Sequence, residues 1–140
     1  MQENKSNATE WIMDNGCTRH MTGDRSLLME QTLRPPTKDH IVFANKSSIE
    51  VLGLGRVAIS RDRHMENVML VEYLGYNLMS VSMLCDLDML VIFDKFRCVV
   101  LMASDKTKVF EGFRRGDLYR VDFSAGPHVA TCLLAKASKC

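Results

Sequence analysis

Seven consecutive residues, Asp14-Asn15-Gly16-Cys17-Thr18-Arg19-His20, bring together a carboxylate, a thiol, a hydroxyl and an imidazole. Trp11, Ile12 and Met13 precede them as a short apolar run. That pattern predicts a strand ending at Asp14 and passing into an Asn-Gly turn. A carboxylate there can hold or move a proton, and Gly16 leaves room for another backbone to approach. Taken alone, Asp-x-Gly is more often a turn that only reverses the chain. Cys17-x-x-His20 has the spacing of half a metal site, but Cys85 and Cys98 lack partners at ligand spacing. Three or four ligands are needed, so no metal is expected, and His20 reads as hydrogen-bonded support for the loop. Gly53-Leu54-Gly55-Arg56-Val57-Ala58 fits the glycine pattern of a dinucleotide-binding turn. No long helix follows it, so the match is accidental and no cofactor is expected.

The chain's 140 residues suit one folded domain with a core of useful size. Its formal charge is +1 with both signs interspersed, which argues against a dedicated nucleic-acid surface. Lys106, Lys108, Arg114 and Arg115 read as a solvated face. The five cysteines form no Cys-x-x-Cys pair, so reduced thiols are expected rather than a disulfide framework. Met1 to Glu10 has no signal-peptide core, and no apolar run approaches the ~20 residues of a membrane span. The expected location is therefore cytoplasmic, without membrane partners. Two glycosylation sequons, at Asn7 and Asn45, read as chance matches.

The elements that would position Asp14 follow in order. Residues 1–9 read as a polar, disordered lead-in. Asp24 to Leu33 is a short helical turn or an irregular loop, closed by Pro35-Pro36. Strands are expected at Ile41–Phe43 and Ile49–Leu52 around an Asn45–Ser48 turn, then at Arg56–Ser60 and Val68–Val71. Arg61–His64 is a charged turn. Leu78 to Asp86 reads as one short helix, packed through Leu78, Met79, Val81 and Cys85. Four more strands are expected at Leu90–Phe93, Cys98–Met102, Lys108–Gly112 and Leu118–Asp122. Residues 124–140 read as a tail.

Asp14-Asn15-Gly16-Cys17-Thr18-Arg19-His20-Met21-Thr22-Gly23 resembles the Asp-Ser-Gly-Cys-Ser/Thr-x-His-Met-Thr-Gly pattern of Copia-type retrotransposon proteases from plant Gag-Pol polyproteins. Asn67–Val71 and Gly75–Asp86 resemble two later blocks of those proteins, in the same order. Gly112–Tyr119 is similar to the start of the pre-integrase segment. The resemblance implies a mainly β, retropepsin-like closed β-barrel with one short C-terminal helix, acting as a homodimer. Residues 10–105 would be the protease domain and 106–123 a β extension from the pre-integrase segment. It also implies an aspartic endopeptidase that cleaves a Gag-Pol polyprotein, including its own release, in the setting of a virus-like particle.

Hydrolysis by that route needs two carboxylates facing one water, one charged and one protonated. The chain holds a single Asp-x-Gly of this kind, so the second aspartate would be Asp14 of another copy. In the resemblance Asn15, Gly16, Cys17 and Thr18 line the active-site loop. Val51, Leu52, Gly53, Leu54 and Gly55 form the tip of a flap, and Gly75 and Asn77 brace the catalytic loop. Tyr76 stands where retropepsins usually carry arginine. Asn15 departs from the family's Ser or Thr, whose hydroxyl interlocks the two loops across the dimer axis. Ala44-Asn45-Lys46-Ser47 also departs from the family's flap approach. Both departures fit an alternative: a weakened or host-adopted module that binds a protein without cutting it.

Overall fold

Trp11 and Met13 alternate with Glu10, Ile12 and Asp14 along β1 (Glu10–Asp14), and only the first two are buried. That period of two is what a strand between two environments requires. A computed structural model describes residues 8–36 and 50–123. The chain continues through β2 (Met21–Thr22), two single 3-10 turns (Arg25–Leu27 and Glu30–Thr32), β3 (Val51–Ala58), β4 (His64–Val71) and β5 (Asn77–Ser80). Helix α1 (Val81–Asp86) follows, then β6 (Met89–Phe93), β7 (Arg97–Met102), β8 (Lys108–Arg115) and β9 (Leu118–Asp122).

Among the described residues all nine strands belong to one mixed sheet, in the order β3-β4-β2-β5-β1-β9-β8-β7-β6. The fold is mainly β, a curled half-barrel with one short helix set between β5 and β6. Among the described residues its end strands, β3 and β6, are not paired with each other. β1 lies inside the sheet, parallel to β5 and antiparallel to β9. Strands β8 and β9, expected as an extension, therefore join the same sheet as the strand that carries Asp14. Arg115 reinforces the contact with two bonds to Glu10, at 3.0 and 2.8 Å. Thr9, just before β1, donates to Asp122 of β9.

The sheet buries apolar side chains on both faces, and β4 shows why. Val68 and Leu70 enter the main core with Trp11, Met13, Met79, Leu84, Val100 and Val121. Met69 and Val71 point the other way, into a smaller cluster with Met21, Val51 and Leu54. All four residues of the run Val68–Val71 are buried.

Two local expectations are corrected. Leu78 and Met79 are not helical: Asn77–Ser80 is a strand, and the helix begins at Val81. The alignment of Trp11 with Asn77 and Asp14 with Ser80 in a parallel ladder holds those residues extended, overriding their helical spacing. Val51–Gly55 is not a free tip. It lies in β3, paired with β4, and Val51, Gly53, Leu54 and Gly55 are all buried. Leu54 exchanges two backbone hydrogen bonds with Arg34, each 2.9 Å, so its N–H is committed. The expected strand Ile41–Phe43 and turn Asn45–Ser48 lie outside the described residues, as do residues 1–7 and the tail from 124.

Candidate active-site loop

Asp14 is the last residue of β1, and its register partner in β5 is Ser80. Beyond it Asn15, Gly16 and Thr18 are exposed and Cys17 is half-buried. The Asp14 carboxylate accepts the Gly16 N–H at 2.7 Å through Oδ1, a turn closed by a side chain. A Cβ on residue 16 would stand 3.2 Å from that same oxygen, so glycine keeps the carboxylate uncrowded.

The base of the loop is held by four residues: His20, Thr22, Asn77 and Ser80 are the buried polar residues among those described. Ser80 ends β5 and caps α1, accepting the Met83 N–H at 3.3 Å. Its hydroxyl donates to the Cys17 carbonyl at 2.8 Å, and its own N–H donates to His20 Nδ1 at 3.0 Å. The His20 N–H points at the Met83 sulfur, and the His20 carbonyl accepts from the Met69 N–H at 2.9 Å. Thr22 donates to Asn77 Oδ1 at 2.5 Å. The Asn77 amide donates to the carbonyls of Ala8 and Glu10. One buried amide thus ties the far end of the loop to the start of β1. Each of these groups would cost about 1–3 kcal/mol if left buried and unpaired, so together they fix the loop's position.

Gly23 closes the loop under a hard constraint, since a Cβ there would meet the Leu74 carbonyl oxygen at 1.9 Å. Gly75 is different. Nothing lies within 4 Å of where its Cβ would stand, so the packing that holds the loop runs through Asn77 and not through Gly75. Tyr76 is half exposed.

The thiol and the imidazole of this loop are both held neutral. Burial, together with the Asp14 charge, pushes the Cys17 thiol up to about 11. Its Sγ–H points at the Asp14 carbonyl, 3.8 Å away. A thiol in that state supplies little thiolate to attack a substrate near neutral pH. Burial brings His20 down to about 4, and because Nδ1 accepts from Ser80, the ring proton sits on Nε2. Among the described residues no group of three His, Cys, Asp or Glu could hold a metal ion. What remains for chemistry is the Asp14 carboxylate, beside the exposed Asn15, Gly16 and Thr18.

Ser80, Met83 and Thr22 carry the loop's support without having been singled out in the sequence. Ser80-Val81-Ser82-Met83 does hold one signal, a serine three residues before the N–H it caps. The bonds from Ser80 to Cys17 and His20 join positions some 60 residues apart and have no local signature.

The strand that ends at Asp14 thus runs into a braced carboxylate turn at the end of a central strand of a curled β-sheet. The family described as "Pol polyprotein, beta-barrel domain" matches residues 11–89, and this chain belongs to it. The match runs from Trp11 to Met89, the first residue of β6. The transposon Ty5-1 protein YCL075W of Saccharomyces cerevisiae is 39% identical over 74 residues, covering 53% of this chain. The aligned region spans 49% of that relative, about half its length. The domain is thus part of a retrotransposon Pol region. No solved structure matches the chain.

Proposed function

We propose that this domain is the peptide-cutting unit of its polyprotein, an aspartic endopeptidase that works as a homodimer with Asp14 from each copy. The observation that supports it most is the contrast within one loop. Its base is locked by four buried polar side chains, while Asp14 stands at the exposed end beside Asn15, Gly16 and Thr18. Two such carboxylates facing one water cannot both ionise easily, so one stays protonated. The charged one takes a proton from the water and the neutral one donates to the scissile carbonyl oxygen, without covalent intermediate or metal. The two apparent pKa values belong to the pair. The substrate is an extended segment of the same Gag-Pol polyprotein.

Asn15 favours a second reading. A side-chain amide is longer than a serine hydroxyl and planar, so the interlock between two loops is altered at the axis. A binding module that keeps the fold without cutting would carry such a change. Cleavage of a Gag-derived peptide separates the two. Activity that disappears in Asp14→Asn, from a species sedimenting as a dimer, supports the enzyme. A dimer whose slow cleavage is the same in parent and Asp14→Asn supports the binding module.

A further inference from the structure

Asn15-Gly16 is the one Asn-Gly pair in the chain. Both residues are exposed, and Gly16 has no side chain to shield its nitrogen. Among the described residues the Asn15 amide has no hydrogen-bond partner to hold it away from its own backbone. The Gly16 N–H already points at a carboxylate oxygen, Asp14 Oδ1, at 2.7 Å. The other described asparagines lack this combination. Asn77 is buried, its amide donates to two carbonyls, and Leu78 follows it. Asn67 is bonded to Arg34 and followed by Val68.

We propose that Asn15 is a self-modification site, where the side-chain amide is lost by cyclisation onto the Gly16 nitrogen with Asp14 as the base. In the first step the Gly16 nitrogen attacks Asn15 Cγ while Asp14 Oδ1 takes its proton. A carbon–nitrogen bond forms to close a five-membered imide. The Cγ–NH2 bond then breaks, and the proton held by Asp14 leaves with the nitrogen as ammonia. Water next opens the imide at either carbonyl, leaving aspartate or isoaspartate at position 15. No oxidant or cofactor enters, and water is the only co-reactant. The loop gains one negative charge directly beside Asp14, and the isoaspartate product lengthens the backbone by one carbon. If, as proposed above, two copies meet through this loop, modification places four carboxylates at the axis and weakens both pairing and cleavage.

The test follows the full chain by peptide mass spectrometry during incubation in dilute neutral buffer, folded and in urea. Fragment ions report position 15, and chromatography separates the two products. The folded chain is expected to lose the Asn15 amide at least as fast as the urea-unfolded chain, while Asn67 and Asn77 keep theirs. Asp14→Asn, which retains an oxygen acceptor but not a base, should slow the folded reaction several-fold and leave the rate in urea unchanged. A folded chain that keeps Asn15 intact while the unfolded chain loses it overturns the proposal. So does an equal rate in folded parent and variant. Mass is the readout, so neither result depends on whether the domain cuts peptides.

Discussion

The Thr22 hydroxyl donates to Asn77 Oδ1 at 2.5 Å inside the core, bonding two side chains 55 positions apart in the chain. Asn77 spends its amide on the carbonyls of Ala8 and Glu10, at 3.0 and 2.8 Å. Asn77 therefore ties β2, at the far end of the loop that carries Asp14, to the start of β1.

Asn77→Ala leaves the Thr22 hydroxyl and two carbonyls without their partner in a dry site. We expect a loss of about 3 kcal/mol in urea unfolding. Thr22→Ser keeps the donor and should cost about 1 kcal/mol, the loss of one buried methyl.

His20 makes stability depend on pH. Its folded pKa is depressed from 6.5 to about 4, so the unfolded chain takes up a proton first as the pH falls. The contribution is complete above pH 6.5 and is lost as the pH drops through about 4. By linkage it amounts to about 3 kcal/mol. His20→Asn keeps an acceptor near the position of Nδ1 and cannot titrate. Urea unfolding at a series of pH values should show a shallower acid loss in this variant than in the parent.

Truncation after residue 105 removes β8 and β9. That strips β1 of an antiparallel partner and uncovers the core at Trp11, which is 1% exposed beside Val121. The truncated chain is expected to lose its cooperative unfolding transition in circular dichroism. A folded, cooperative 1–105 fragment would show that the β extension is dispensable.

Asn15→Ser restores a short hydroxyl beside Asp14. On the proposed mechanism it should raise peptide cleavage several-fold and strengthen the dimer, measured by turnover and by sedimentation at matched concentrations. A variant with unchanged turnover would remove Asn15 as the cause of any weakness.

Asp14 and its turn were readable from residue order, because an apolar run ending in Asp-Asn-Gly carries its strand and its reversal locally. The strands β6 to β9 were readable for the same reason, each a short apolar run bounded by charged turns. The extended state of Leu78 and Met79 was not, since their spacing is helical and only the parallel pairing with β1 holds them straight. Nor was the burial of Val51, Gly53, Leu54 and Gly55, which depends on β4 on one side and Arg34 on the other.

The sequence by itself determined the mainly β character, the turn after Asp14 and the kinship with retrotransposon Pol. The first two rest on periodicity and on residues adjacent in the chain, the third on the resemblance of the Asp14–Gly23 motif and the blocks that follow it. Only the tertiary structure decided that β9 lies against β1 and that Ser80, His20, Thr22 and Asn77 form the floor beneath Asp14. A buried polar group must find its partner wherever the fold brings one, and here the partners lie more than fifty residues away along the chain.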